Sequence, residues 1–303
     1  MRQLISVIMP AYNEAENITP YLRLVVEAIT AIDGVTNFEI IVVDDHSSDG
    51  TFDGVASLKD ARIRCIRLSH RRGSHIAVRA GLSEARGEAV FLMSADGQDD
   101  PLVLKSMIAQ WQKGYQVVWA CRQDRQLEPL FYRFLTGLSY SIMAFACQYS
   151  SEEKDLMNKA DFFLLDRVVV DALNTCRESH TSVFGLIVWG GFKQTTVEYI
   201  RKARSSGHSK WNLKKRISLA KDWVLAFSGF PVLLVFLTGV LVTFFAVGCA
   251  FWSRVSTGHF SLMGAVLLMG GLQLTAIGII GEYVRYALKE ARQRPLYFIE
   301  RRS

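Results

Sequence analysis

The segment from Phe91 to Pro101 limits the possible folds more than any other part of this sequence. It reads Phe-Leu-Met-Ser-Ala-Asp-Gly-Gln-Asp-Asp-Pro, so an apolar run ends abruptly in a polar turn that carries Asp96 and Gln98. This pattern predicts a buried strand that delivers acidic side chains to the carboxyl edge of an open α/β sheet, where such folds bind ligands. Carboxylate and amide oxygens suit a divalent cation such as Mg²⁺ or Mn²⁺, although merely solvated acidic turns after strands are also common.

Apolar runs of strand length alternate with helix-like stretches through the first part of the chain. The predicted strands are Leu4–Met9, Phe38–Val43, Ile63–Leu68, Ala89–Ser94 and Tyr115–Ala120. This alternation implies an α/β fold with a mostly parallel, doubly wound sheet and helices on both faces. The sequence has neither a Gly-x-Gly-x-x-Gly turn after the first strand nor a Gly-Lys-Ser/Thr loop, which argues against a dinucleotide enzyme and a Walker-type ATPase.

Polar residues follow the first three strands. Asn13 and Glu14 are typical of a helix start, with Asn13 as the cap. Asp44 and Asp45 can accept hydrogen bonds from a ribose or a base, but they also fit a plain turn between strand and helix. The basic loop Arg71–Gly73 precedes a helix and is suited to holding phosphate groups.

Charge and cysteine content limit the partners and the compartment. The 303 residues carry a net charge of +6, which suits anionic partners such as nucleic acid, phosphorylated substrates or acidic lipid headgroups. A nucleic-acid-binding module is the weaker alternative, because the cations cluster near the apolar segments and no recognition motif is present.

The five cysteines lack metal-ligand spacing and indicate a reducing compartment. With no signal peptide at Leu4–Met9, the first domain is expected to be cytosolic.

Apolar residues are concentrated in the last third of the chain. The segments Phe230–Trp252 and Phe260–Gly281 carry no charge, and each is close to the ~20 residues needed to cross a bilayer. Basic flanks place both ends in the cytoplasm. Residues 210–228 alternate cations with apolar residues, which predicts an amphipathic helix in the headgroup region or, alternatively, a solvated basic helix. Glycines in the spans permit a homo-oligomer.

Taken together, these patterns predict four regions. They are a cytosolic domain at 1–209, an amphipathic juxtamembrane helix at 210–228, a transmembrane hairpin at 229–284 and a basic cytosolic tail at 285–303. The expected location is the inner (cytoplasmic) membrane, with two spans and with the first domain and both termini in the cytoplasm.

Several motifs together resemble family 2 glycosyltransferases of the GT-A fold. They are Pro10-Ala11-Tyr12-Asn13-Glu14, Val43-Asp44-Asp45 and Ser94-Ala95-Asp96-Gly97-Gln98-Asp99-Asp100-Pro101. The block Lys159–Asp166, the segment Tyr199–Lys210 and the tail motifs Gly281–Val284 and Arg294–Tyr297 resemble the polyprenyl-phosphate branch, which includes dolichol-phosphate-mannose-synthase-like and bactoprenol-linked enzymes. The resemblance covers essentially the whole chain.

The resemblance implies roles for individual residues. Pro10, Tyr12, Glu14 and Asp44 would hold the nucleoside, with Asp45 beside them, and Asp96 and Gln98 would ligate the metal. Phosphate groups would be held by Arg122, Arg204, Ser209 and Lys210, and Asp161 would face the reacting centre. Asp96, Asp161, Arg204 and Lys210 are therefore the expected catalytic residues.

The implied activity is metal-dependent, inverting transfer of a sugar from a UDP- or GDP-linked donor to polyprenyl (undecaprenyl) phosphate. The lipid-linked product would serve modification of cell-envelope glycans such as lipopolysaccharide. Ser94 stands where the family usually has an acid, which leaves a degenerate scaffold or subunit of a glycan-export assembly as an alternative. A processive polysaccharide synthase is disfavoured, because two spans are too few for a pore and Gln-x-x-Arg-Trp is absent.

Overall fold

A computed structural model describes residues 4–122, 160–176, 182–200 and 262–303, together with a few helical residues between 235 and 245. Within these ranges the strands form one eight-stranded sheet in the order β7-β5-β6-β4-β1-β2-β3-β8. The strands are β1 Leu4–Ala11, β2 Asn37–Asp44, β3 Ile63–Leu68, β4 Ala89–Leu92, β5 Val117–Arg122, β6 Ala160–Asp166, β7 Gln194–Tyr199 and β8 Ile299–Arg302.

The centre of the sheet is parallel, as the sequence predicts. β1 pairs in parallel with both β2 and β4, and β2 pairs in parallel with β3. Val7, Ile8, Ile40 and Ile41 are completely buried. Nearly continuous apolar runs are expected for strands covered on both sides, so the predicted mostly parallel α/β sheet is confirmed.

Helices connect and cover the strands. They are α1 Ala15–Thr30, α2 Thr51–Ala56, α3 Ser74–Glu84, α4 Val103–Gln112, α5 Arg167–Thr175, α6 Val183–Trp189 and α7 Leu262–Ala291. α3 packs on β1 and β2 and also contacts α5 and α6, whereas α1 contacts α2 and α4. The apolar face of α1, which includes Leu22 and Val25, is fully buried.

Three strands lie outside the predicted set: β7, which pairs in parallel with β5, and the antiparallel strands β6 and β8. β6 inserts between β4 and β5 and runs antiparallel to both. β8 runs antiparallel to β3 and covers what would otherwise be the edge of the sheet. Both strands pair with partners distant in sequence, and β6 brings Asp161 to the end of the sheet where β5 ends at Arg122.

The start of α1 differs from the prediction. Asn13 has a positive φ of 54° and does not cap the helix, and Glu14 occupies the N-cap position instead. Asparagine tolerates this left-handed conformation better than most residues do. The predicted cap at Asn13 is therefore wrong, because its side chain is used to bridge two loops.

The structure describes only part of the predicted membrane region. α7 covers most of the second predicted span, and its described side chains include exposed Leu274, Ile277 and Val284. Within the described residues, no helix combines the length and the hydropathy needed to cross a bilayer. The first span, Phe230–Trp252, lies outside the described residues apart from a few helical positions, and so does the amphipathic segment 210–228.

Candidate functional site at the carboxyl edge of the sheet

The loops that follow β1 and β2 are joined to each other. The backbone N–H of Asn13 donates to Ser47 Oγ at 2.9 Å, and that of Glu14 donates to Thr51 Oγ1 at 3.0 Å. The side-chain oxygen of Asn13 accepts from the N–H of Ser48 at 2.8 Å. These bonds fix the predicted nucleoside-binding residues of the first loop against those of the second.

Asp44 lies at the end of β2 and is completely buried. Its Oδ1 accepts from the N–H of Ser47 at 2.9 Å, and its Oδ2 accepts from Arg67 Nη1 at 3.0 Å. Arg67 Nη2 also donates to the carbonyl of Ser47 at 2.9 Å. A buried carboxylate needs a cation or several donors, and Asp44 has both. The role of Arg67 was not predicted, although a cation within an apolar strand was the available signal.

Asp45 holds the basic loop that precedes α3. Its two oxygens accept from the backbone N–H groups of Arg72 at 2.6 Å and Gly73 at 2.8 Å. Gly73 has a φ of 92°, and the backbone of a residue with a side chain would be strained in this conformation. Burial raises the pKa of the Asp45 carboxyl, and the two N–H donors oppose that rise.

Tyr12 and Arg71 form one wall of the same region. The guanidinium of Arg71 lies 3.7 Å from the centre of the Tyr12 ring, which is a cation–π contact. Because Asp45 fixes the neighbouring residues Arg72 and Gly73, the stacked pair is held beside the loop after β2. Pro10, the other predicted contact, pairs with Val43 in the β1–β2 ladder.

The acidic turn after β4 is compact and partly buried. Asp96 Oδ1 accepts from the N–H of Gln98 at 3.2 Å, and Asp99 Oδ2 accepts from the N–H of Ser94 at 2.7 Å. Gly97, which lies between Asp96 and Gln98, has a φ of 74°. Asp96 is only 8% exposed. A carboxylate and an amide on one tight turn are a suitable donor set for Mg²⁺ or Mn²⁺, so the residues fit the predicted metal. Among the described residues, no group of three or more His, Cys, Asp or Glu side chains is placed to share a metal ion.

Asp161 on β6 is held by residues on β5 and β7, two strands that lie on the same side of β6 in the sheet. The guanidinium of Arg122 forms a two-pronged ion pair with it, and the hydroxyl of Tyr199 on β7 donates to Asp161 Oδ2 at 2.6 Å. The same hydroxyl lies 3.4 Å from Oδ1 of Asp99 in the acidic turn. The structure thus joins the predicted phosphate-binding, reacting-centre and metal-binding regions. Tyr199 was not predicted to take part.

These clusters lie close together along one edge of the sheet, because β1 lies between β4 and β2 and pairs with both. The N–H of Asp45 donates to the carbonyl of Ala11 at 2.9 Å, and that of Met93 donates to the carbonyl of Ile8 at 2.9 Å. The carboxyl edge of an open α/β sheet is where such folds bind ligands. Arg204, Ser209 and Lys210 lie outside the described residues, so their predicted roles stay predictions.

A separate cleft of about 280 Å³ lies between α3, the end of α5 and residues 293–297. Its lining includes Arg79, Cys176 and Tyr297, and none of the predicted site residues.

The chain is similar to known proteins over nearly its whole length. The family described as glycosyl transferase family 2 matches residues 6–173. A bactoprenol glucosyl transferase of Shigella phage SfV is 31% identical over 306 residues, which cover 98% of each chain. A prophage bactoprenol glucosyl transferase homolog of Escherichia coli K12 is 30% identical over 309 residues, again with 98% of each chain covered.

Solved structures are similar in fold at lower identity. Glucosyl-3-phosphoglycerate synthase from Mycobacterium tuberculosis, in complex with UDP, superposes with a TM-score of 0.52 at 17% identity. The match covers 74% of this chain and 79% of that one. A second structure of that enzyme, with Mn²⁺ and UDP-glucose, gives a TM-score of 0.51 at 16% identity. These matches show a GT-A-like sheet.

Proposed function

Because this chain belongs to glycosyl transferase family 2, we propose that it transfers a sugar from a nucleotide sugar to polyprenyl phosphate and releases a nucleoside diphosphate. Full-length relatives named bactoprenol glucosyl transferase support an undecaprenyl acceptor and glucose as the first sugar to test. The fold neighbour that binds UDP supports UDP as the first nucleotide to test.

One observation carries the proposal more than any other. Tyr199 joins Asp161 to the acidic turn that bears Asp96, and this cluster lies across β1 from the loops that contain Asp44 and Asp45. In the proposed site, the groups expected to bind the nucleoside lie at one end, and oxygen ligands with a cation lie at the other. A nucleotide sugar has the same order of parts: a nucleoside, then a diphosphate, then the sugar.

In the proposed reaction, a phosphate oxygen of the acceptor attacks the anomeric carbon and the bond from that carbon to the donor diphosphate breaks. A phosphate monoester has its second pKa at about 6, so most of the acceptor is a dianion at neutral pH and no general base is needed. Asp161 is paired with Arg122, which suits it to orienting the sugar or a cation rather than removing a proton. Inversion at the anomeric carbon is part of this proposal.

Negative charge that develops on the leaving diphosphate must be stabilised. Asp96 and Gln98 would hold a divalent cation, which would supply that charge stabilisation when bound. Arg122 and, from their sequence positions, Arg204 and Lys210 are the cations that would bind phosphate oxygens.

We also propose that the chain acts at the inner membrane as a multi-pass protein, with residues 1–209 and both termini in the cytoplasm. Exposed apolar side chains on α7, among them Leu274, Ile277 and Val284, support contact with lipid. The charge-free segments and their basic flanks support the two-span hairpin, and a polyprenyl acceptor requires an active site near the membrane surface. Glycines on α7 permit a symmetric oligomer.

A non-catalytic scaffold is the second candidate, and Ser94 is the observation that favours it. Among the described contacts, Ser94 binds the acidic turn through its backbone N–H, which donates to Asp99. The glycosyltransferase motif that this segment resembles has an acid in place of Ser94. Such a scaffold would retain the fold but would neither bind a donor with metal nor transfer sugar.

The two candidates are separated by an assay of the full-length chain in detergent. Radiolabelled nucleotide sugars, beginning with UDP-glucose and GDP-mannose, are supplied with undecaprenyl phosphate and Mn²⁺ or Mg²⁺. We expect label to enter the organic phase, to stop with EDTA, and to match the mass of a polyprenyl-phosphate hexose. No lipid-linked label with any donor, together with no metal-dependent binding of any donor, would favour the scaffold.

A further inference from the structure

We infer that Glu300, on the C-terminal strand β8, is a positioning residue for the donor site, acting through Arg67 on Asp44. This inference rests on the proposed function, because it assigns Asp44 and its loop to donor binding. The geometry that suggests it is a continuous chain of contacts from the last residues of the protein to the loop after β2.

Arg67 is the centre of this chain of contacts. Its Nε donates to Glu300 Oε2 at 3.2 Å, its Nη1 donates to Asp44 Oδ2 at 3.0 Å, and its Nη2 donates to the carbonyl of Ser47 at 2.9 Å. Three sides of one planar group are therefore held by three different acceptors. The rigid fork of an arginine makes such an arrangement directional, so loss of one acceptor changes the orientation of the other two contacts.

Glu300 occupies an irregular place in the β3–β8 pairing. Arg301 pairs with Arg67 and Ile299 pairs with Leu68, so the register shifts at Glu300. Irregularities of this kind redirect side chains and are common beside functional sites. Here the side chain of Glu300 reaches Arg67 and also lies 3.4 Å from His46 Nδ1, next to the loop after β2.

Ser47 carries the effect from the second loop to the first. Its N–H binds Asp44, its carbonyl binds Arg67, and its Oγ accepts from the N–H of Asn13. Glu300 is thus connected by three consecutive contacts, through Arg67 and Ser47, to the loop that contains Tyr12 and Glu14. If Arg67 loses Glu300, we expect both loops to become more mobile.

The strand β8 also connects the donor site to the C-terminal helix α7, which precedes β8 in the chain. Residues 292–298 link α7 to β8, and the segment is fastened to the main domain by Ser69 N–H donating to the carbonyl of Phe298 at 2.9 Å. Ser303 exchanges hydrogen bonds with the backbone of Cys65 at the far end of the strand. The structure therefore joins the C-terminal helix to the donor site through a short strand rather than through a free tail.

The test compares two substitutions on the same strand in the full-length chain. Glu300→Ala removes the contact with Arg67. Arg302→Gln removes a different ion pair of β8, with Glu84 at 2.7 Å and 2.8 Å, and leaves Arg67 untouched. Glu300→Gln is the conservative variant, because its amide oxygen can still accept from Arg67.

We expect Glu300→Ala to raise the Kd for UDP with Mn²⁺ and the donor KM about fivefold, the effect of losing one partly exposed charge-assisted hydrogen bond. The KM for polyprenyl phosphate should not change, and Glu300→Gln should recover most of the donor affinity. Arg302→Gln should keep both donor constants within about twofold of the wild type, even where it lowers the melting temperature.

Hydrogen exchange of the unliganded protein tests the positioning role without any donor. Peptides that cover residues 10–17 and 44–51 should exchange faster in Glu300→Ala than in Arg302→Gln. Equal exchange and equal donor affinity in these two variants would overturn the inference. A wild-type chain that binds no nucleotide and transfers no sugar would instead overturn the proposed function, which is a separate result.

Discussion

Tyr199 on β7 donates its hydroxyl hydrogen to Asp161 on β6 at 2.6 Å, past the intervening strand β5. Arg122 holds the same carboxylate from β5, so Asp161 on β6 is fixed by residues on two other strands. A carboxylate held in this way has a defined direction and a compensating positive charge. It is suited to orienting a bound group at the sugar end of the proposed site.

Removal of the Tyr199 hydroxyl tests this assignment. In Tyr199→Phe, Asp161 loses one of its donors, and we expect kcat to fall roughly tenfold because a displaced orienting group costs transition-state stabilisation. The donor KM should change little, because Tyr199 lies away from the nucleoside end. Steady-state kinetics measure both constants, and Tyr115→Phe is the matched control. An unchanged kcat in Tyr199→Phe would remove Asp161 and its partners from the reacting centre.

The stacked pair of Tyr12 and Arg71 predicts a binding defect instead. In Arg71→Ala the cation–π contact is lost, and we expect the donor KM to rise about threefold to tenfold with kcat largely retained. The exposed residue Arg23 on α1 gives the control substitution Arg23→Ala. Equal donor KM values for the two variants would show that this wall does not contact the donor.

The ion pairs of Glu84 predict a pH-dependent stability. Its hydrogen bonds from Arg302 and Arg64 lower the pKa of the Glu84 carboxyl below that of the unfolded chain, about 4.3. A lowered folded-state pKa gives stability that is present above the unfolded pKa and is lost as the pH falls through the folded one. Glu84→Gln should therefore be less stable than the wild type at pH 7, by about 1 kcal/mol, with the difference disappearing towards pH 3. Thermal unfolding at both pH values measures this, and a constant difference would contradict it.

Gly87 predicts a large effect of a single methyl group. A Cβ at this position would lie 2.5 Å from the backbone nitrogen of Ser6 and 2.7 Å from its Oγ, so the backbone of β1 would have to move. We expect Gly87→Ala to lower the free energy of unfolding by about 2 kcal/mol or more. Gly50→Ala is the control, because nothing lies within 4 Å of its added Cβ. Denaturant unfolding of both variants gives the comparison, and equal stabilities would show that β1 and Gly87 are not packed this closely.

Local sequence patterns predicted the five strands β1 to β5, but they did not predict β7, which pairs in parallel with β5. β3 has the predicted bounds, and β1 and β2 differ from prediction by one or two residues at their ends. β6 and β8 were missed because an antiparallel strand between β4 and β5, or at the edge of β3, depends on pairing with distant residues. Hydrophobic periodicity does not contain that information.

In the candidate site, too, the sequence indicated residues that belong to a local pattern and missed residues that act through distant contacts. Asp96, Gln98, Asp44 and Asp45 stood out because each follows an apolar strand. Arg67, Tyr199 and Glu300 did not, because their importance comes from contacts across the sheet with residues 23, 38 and 233 positions away. Conversely, Asn13 resembles a helix cap in sequence but bridges two loops in the structure.

The most direct test of the account is the rate of sugar transfer to undecaprenyl phosphate by Asp96→Asn in the full-length chain. Asparagine keeps the size of the side chain but removes the charge, and Asp60→Asn on the surface is the control for a change of the same type. We predict that Asp96→Asn melts like the wild type yet transfers sugar at least about 100-fold more slowly, because charge on the leaving diphosphate is no longer stabilised. Asp60→Asn should retain the wild-type rate. Transfer at the wild-type rate by a folded Asp96→Asn would contradict the central claim that the turn after β4 holds the diphosphate end of the donor.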